Sequence, residues 1–199
     1  MSDDQNSTVE LWLIRHGETV WNALGKISGW HDVELSARGE AMAQALRPLL
    51  QNQVFATVIA SDLRRAQDTA KIAYGEPVTD RRLREINFGS LEGQIWSEIS
   101  PAAQDEVLAF SEHCSPGGEL ISQFEARIFE YLATLEPGRH LLFVHGGVIR
   151  VVLRQVGADQ FVPPTSLAIV DWSKRALLDL KLGPHDILDA APQEVFPRS

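Results

Sequence analysis

The sequence predicts an α/β protein: three α/β/α layers around a mostly parallel central sheet, with an antiparallel edge strand. Three observations carry that expectation. Short apolar runs (VELWLI, TVIAS, HLLFV) alternate with longer segments of helical periodicity, and such alternation builds a parallel sheet covered on both faces. Near the C-terminus SLAIVDW, SKR and ALLDLKL read as a hairpin, which supplies the antiparallel edge. Each apolar run also leads into polar residues: Arg15-His16 after the first, Arg64-Arg65 just past the second and His145 after the third. Open parallel sheets bind ligands outside the carboxyl ends of their strands, so these junctions are expected along one edge.

Taken in order, VELWLI is the first strand, and the loop RHGETVWN leads through GKISGWHDVEL to a helix starting near Ser36, a suitable N-cap. That helix runs through SARGEAMAQALRPLLQ, with Leu46, Leu49 and Leu50 on one face and a kink or break at Pro48. TVIAS is the second strand, followed by the helix DLRRAQDTAKIAY with Ser61 or Asp62 as its cap. PVTDRRLREINFGSLEG reads as extended and loop-rich. Helices follow around DEVLAFSEH and ELISQFEARIFEYLATL, the second carrying Leu120, Phe124, Ile128, Leu132 and Leu135 at helical spacing. Pro137-Gly138 ends it; HLLFV is a strand, GVIRVVLRQVG a helix, and the hairpin closes the pattern. The chain is expected to form a single domain over residues 1–199, with a core over about 9–182, a cap over about 86–119 and a loosely attached tail at 183–199.

Composition narrows the function. With 199 residues, 44% hydrophobic and 23% charged, the chain can bury a substantial core. No apolar run reaches bilayer length, and the polar, acidic start MSDDQNSTVE gives no signal peptide, so a cytoplasmic location is expected. A single cysteine, Cys114, cannot form an internal disulfide and reads as a small apolar filler. A net charge of −9 argues against nucleic acid or an anionic membrane as partner. An anion site must then be a local cluster of positive charge. Two strand ends that present histidine followed by glycine (His16-Gly17, His145-Gly146-Gly147) together with Arg15 and Arg65 supply one, and phosphate is the anion they suit best.

In order, RHGETVWN, SDLRRAQDTA, LREINFGSLEG and FVHGG resemble the histidine phosphatase superfamily, also called the phosphoglycerate-mutase-like family, over about Val9 to Leu182. The resemblance implies a phosphohistidine mechanism. His16 is then the nucleophile, neutral at its attacking nitrogen. Arg15, Arg65 and a protonated His145 hold the equatorial phosphoryl oxygens, and Glu85 is the general acid and then base. Asn22, Ser28 and Gly29 match positions that contact phosphate, and Gly146 offers a backbone N–H. No metal and no cofactor is implied. Bland alternatives exist for each: Arg65 could pair with Asp62 or Asp68, and Glu18 or Glu92 could stand in for Glu85. Trp21, Trp30 and Trp96 could line a pocket or simply pack. His31, His113, His140 and His185 match no motif and read as surface or loop residues.

Departures from the family pattern bear on the activity. Ser28 stands where the family's phosphatases often carry Gln, and Leu120 where they often carry Ser. Between Glu85 and His145 the chain lacks the longer basic insertion of the cofactor-dependent mutases. It offers Arg127 and Arg139, both expected away from the pocket, and is acidic at Glu92, Glu98, Asp105, Glu106, Glu112 and Glu119. An acidic cap would repel a bisphosphate. The expected activity is hydrolysis of a small phosphorylated metabolite by a monomer or weak homodimer. The alternatives are a cofactor-dependent phosphoglycerate mutase, a non-catalytic phospho-ligand binder and, with no ligand spacing to support it, a metal protein.

Overall fold

The computed structural model describes residues 8–110 and 115–183. Its strands are β1 (Val9–Arg15), β2 (Thr57–Ala60), β3 (Val78–Thr79), β4 (Gly138–Val144), β5 (Leu167–Asp171) and β6 (Ala176–Lys181). Its helices are α1 (Val20–Ala23), α2 (Ala37–Ala45), α3 (Arg47–Leu50), α4 (Arg64–Ala73), α5 (Pro101–Ala109), α6 (Ile121–Leu132) and α7 (Gly146–Gln155). One sheet runs in the order β3-β2-β4-β1-β5-β6. Strands β3, β2, β4 and β1 are parallel, and the β5–β6 hairpin pairs antiparallel to β1. The α/β architecture is the one the sequence predicts.

The central strands are apolar over Leu11–Ile14 and Leu141–Val144 because helices cover both faces there, and these side chains alternate between two cores. Leu11, Leu13, Leu142 and Val144 join the core built by α6 and α7, where Phe124 and Ile128 are fully buried. Trp12, Ile14, Leu141 and Phe143 face the other way, onto Leu50 of α3 and Ala66, Ala70 and Ala73 of α4. The small residues along α4 let it lie close on the sheet. Truncating a fully buried aromatic such as Phe124 to alanine costs about 3–5 kcal/mol.

Several local differences from the expectation have physical causes. Ser36 caps α2 as expected, its Oγ accepting from the Gly39 N–H, and Pro48 lies in the first turn of the separate helix α3. Helix α4, however, starts after Leu63, without a cap from Ser61 or Asp62. The Asp62 carboxylate is held by the Arg84 guanidinium through two bonds of 2.7 Å, and the Arg64 N–H donates instead to Asp32. Helix α5 begins four residues before DEVLAFSEH, because Ser100 caps it and Pro101 fits its first turn. The extended segment after α4 contributes β3, a two-residue edge strand. His140, expected at the surface, is buried in β4 between the Thr57 hydroxyl and the Glu136 carbonyl. His113, Cys114, Glu112, His185 and nearly all of the tail lie outside the described residues. Among those described, no helix is long and apolar enough to cross a membrane.

For function, the decisive feature is strand order. β2, β4 and β1 are neighbours, so the residues following them meet at one sheet edge.

Candidate active site

At the end of β1 the His16 N–H donates to the Val144 carbonyl of β4, which locks the two histidine-bearing strand ends together. The imidazoles of His16 and His145 lie edge to face with centroids 5.1 Å apart. Both are buried. The Nδ1 of His16 lies 2.7 Å from the Gly17 carbonyl. A carbonyl can only accept, so Nδ1 carries the proton and Nε2 keeps its lone pair. Glycine follows His16 because the turn presses against α2: a Cβ on Gly17 would lie 2.5 Å from the Gly39 carbonyl oxygen.

Arg65, in the first turn of α4, is fully buried. It donates to the carbonyls of Gly29 and His31 at 2.7 and 2.9 Å, and its Nε has no partner among the described residues. Burial lowers its pKa to about 10 against the opposing pull of Glu85, Asp32 and Glu92, which still leaves a cation at neutral pH. Its neighbour Arg64 is half exposed and pairs with Glu34 and Asp68. Neither Asp62 nor Asp68 therefore takes Arg65. Arg15 donates to the Val162 carbonyl at 2.6 Å and stacks on the Phe161 ring.

Burial, then Arg65 and Arg15, push the His16 pKa well below 6.5, against the bond to Gly17 that raises it. For His145 burial again dominates, followed by Arg65, His16, Arg127 and Arg15. Beside two guanidinium groups in a desolvated site, and with no anion bound, the His145 imidazole favours its neutral form. Both of its ring nitrogens lack a hydrogen-bond partner among the described residues. Buried polar atoms are ordinarily paired. A neutral imidazole carries one N–H, so this ring and the Arg65 Nε–H each hold a buried donor without an acceptor among the described residues.

Of the three carboxylates the sequence leaves open, the structure distinguishes Glu85. Its Oε1 accepts from the Ile86 N–H and its Oε2 from the Gly147 N–H in the first turn of α7, each at 3.0 Å. A Cβ at Gly147 would overlap this carboxylate, which explains the second glycine of the His-Gly-Gly sequence. Glu18 accepts from Ser36 and is ion-paired to Arg38 at 2.7 Å. Glu92 accepts from the backbone of Trp30, His31 and Phe88, a structural hub beneath the loop. Arg127 stays out of the cleft, as expected, but it is not idle. It is clamped by Glu119 and donates to the carbonyls of Arg82, Arg84 and Glu85, which fixes the backbone that carries Glu85.

A cleft of about 560 Å³ opens over this cluster, lined by Arg15, His16, Asn22, Ser28, Glu85 and Gly146 among others. The buried Ser28 hydroxyl has no partner among the described residues, whereas the Asn22 Oδ1 is occupied by Thr19 in the cap of α1. Gly29 is not on the wall: its carbonyl serves Arg65, and it packs against Glu92 and Ile86. Trp96 is on the wall; Trp30 instead donates to the Glu85 carbonyl. Sequence reasoning missed Arg38, Lys26, Arg150 and the apolar lining, including Leu24, Val107, Leu108, Phe110 and Phe161. They come from segments far apart in the chain, and no local pattern marks them. The acidic-cap expectation also needs correcting. Glu92 and Glu119 are spent on internal bonds, and Glu98, Asp105 and Glu106 do not line this cleft.

At one edge of a largely parallel sheet, this α/β protein thus gathers two histidines, two arginines and a carboxylate. The chain belongs to the histidine phosphatase superfamily (branch 1), whose sequence model matches residues 11–177. It is 36% identical over 156 residues to phosphoglycerate mutase-like protein 4 of Arabidopsis thaliana, covering 71% of this chain and 68% of that protein. It is 31% identical over 163 residues to 2,3-bisphosphoglycerate-dependent phosphoglycerate mutase 2 of Gloeobacter violaceus, covering 73% and 74%. Among solved structures, a phosphoglycerate mutase of Thermus thermophilus superposes with a TM-score of 0.79 at 44% identity, over 86% of this chain and 97% of that one. A provisionally assigned alpha-ribazole-5'-P phosphatase of Escherichia coli K-12 superposes with a TM-score of 0.72 at 28% identity, over 88% and 95%.

Proposed function

We propose that the protein is a phosphomonoesterase that works through a phosphohistidine on His16. The observation that carries this reading is the tautomer fixed by Gly17, which leaves the His16 Nε2 lone pair beside the orphaned donors of Arg65 and His145. Nε2 attacks phosphorus, the ester P–O bond breaks, and its electron pair leaves on the alcohol oxygen, which takes a proton from Glu85. Water then attacks the phosphohistidine, Glu85 takes the water proton, and the N–P bond electrons return to His16 as phosphate departs.

Arg15, Arg65 and His145 hold the phosphoryl oxygens throughout, Ser28 and the Gly146 N–H join them, and Asn22 and Gly29 shape the loop around them. A dianion between the two guanidinium groups and His145 reverses the field that keeps the imidazole neutral, so His145 takes up a proton on binding. Positive charge comes from side chains, and the reaction proceeds in chelator. The substrate is a small phosphorylated metabolite, as the name of the E. coli neighbour also suggests.

Turnover of 4-nitrophenyl phosphate in EDTA, abolished by His16→Ala, is the test, together with an acid-labile, base-stable phosphoenzyme. Unchanged turnover in His16→Ala refutes the mechanism. Mutase activity is a second reading, favoured by the names of the sequence relatives and of the Thermus neighbour. Interconversion of phosphoglycerate isomers without release of phosphate would establish it.

A further inference from the structure

We propose that the outer cleft is a leaving-group subsite selecting phosphomonoesters whose remainder is apolar and uncharged, such as aryl or alkyl phosphates. The inference rests on the phosphomonoesterase reading of the cluster beneath it. Large apolar side chains left in water are the informative feature of a surface when they gather. Leu24, Leu108 and Phe161 are 60%, 40% and 44% exposed, and all three line this one cleft. They come from three separate segments: the end of α1, the cap helix α5 and the loop after α7. The same cleft is lined by the buried Ile27, Trp96 and Phe110 and the half-buried Val107.

The charges on the wall point the same way. Arg38 is ion-paired to Glu18 at 2.7 Å and Arg150 to Asp159 at 3.0 Å, while Phe161 lies over the Arg15 guanidinium. Lys26 reaches over the Trp21 ring, 5.8 Å from its centroid. A substrate with a second phosphate or a carboxylate would have to draw one of these cations from its present contact while losing its own hydration. An apolar body instead covers Leu24, Leu108 and Phe161 at no such cost. The phosphate sits on His16 and the carbon chain runs outward between α5 and the loop after α7.

The experiment measures kcat/KM for n-alkyl phosphates of increasing length, for phenyl and 1-naphthyl phosphate, and for glycerol phosphate and 3-phosphoglycerate. Affinity for n-alkyl phosphonates of the same lengths is measured by calorimetry. The expected result is a rise in kcat/KM of roughly two- to fourfold per added methylene until the cleft is filled, and 1-naphthyl phosphate ahead of both polar substrates. Leu108→Asn should flatten that slope, chiefly through KM. Hydrolysis with no dependence on chain length, or with 3-phosphoglycerate preferred and Lys26→Ala abolishing that preference, overturns the subsite while leaving the phosphomonoesterase intact. If no ester is hydrolysed but phosphonate affinity climbs with length, the catalytic reading falls and the subsite stands. Flat phosphonate affinity overturns it.

Discussion

Arg65→Lys keeps the formal charge but should leave a crippled enzyme with an altered pH profile. Two of the five guanidinium N–H bonds hold the carbonyls of Gly29 and His31, and Nε has no partner among the described residues. One ammonium cannot reach two loop carbonyls and the phosphoryl group together. Losing one such donor to the transition state typically lowers kcat by about 10²- to 10³-fold. Burial also acts on whatever cation stands here. It lowers the guanidinium to about 10. The same burial pushes a lysine ammonium at this position below its ordinary range. The variant should therefore lose its residual activity at a lower pH than the parent does. Steady-state kcat/KM against pH from 6 to 10, with 4-nitrophenyl phosphate, reads both effects. Near-parental turnover, or a profile that superposes on the parent's after scaling, would refute the assignment of Arg65 as the buried phosphoryl clamp.

Glu85→Gln should slow the step that forms phosphohistidine by roughly 10²–10⁴-fold for an alkyl phosphate, whose alkoxide needs a proton. It should slow that step far less for an aryl phosphate, and phosphoenzyme should accumulate with the aryl substrate in a rapid-quench assay. Equal slowing for both would move the acid to Glu18. A third expectation concerns stability. His16 and His145 both have folded-state pKa values well below 6.5, so below about pH 6.5 the unfolded chain binds more protons than the native one. Stability is fully present above 6.5 and falls below it, by up to about 1.4 kcal/mol per pH unit for each histidine. Urea midpoints at pH 7.5, 6.5 and 5.5 measure this. A midpoint that does not drop between 6.5 and 5.5 would contradict the burial of both imidazoles, and added inorganic phosphate should lessen the drop.

What was legible in the sequence is what strand chemistry writes locally. The β1, β2 and β4 runs are apolar on both faces, so they stand out, and the polar residues that end them are necessarily neighbours once the strands are. Helix α6 was legible for the same reason, with Phe124, Ile128 and Leu132 all buried. What failed was written at long range. The cap of α4 could not be read because Asp62 is drawn away by Arg84, 22 positions later in the chain. His140 could not be read as buried, because its partners are a threonine on a neighbouring strand and a loop carbonyl.

The acidic cap shows why composition is a poor guide to a cleft. The segment after Glu85 is rich in carboxylates, yet two of them are turned inward as acceptors. Glu119 grips Arg127, whose guanidinium then fixes the Glu85 backbone, and Glu92 gathers the loop N–H groups whose neighbouring carbonyls orient Arg65. These carboxylates brace the backbone around Glu85 and the loop that holds Arg65. The same turn leaves the apolar side chains of that segment, Val107, Leu108 and Phe110, to face the cleft. Hydrolysis, the activity proposed above, is favoured by the apolar lining of the cleft and not by the charge of the segment after Glu85. A mutase must hold a second anionic group of its substrate while the phosphoryl group is on histidine, and an apolar wall with Arg38 and Arg150 already ion-paired offers such a group little. Water has no such requirement.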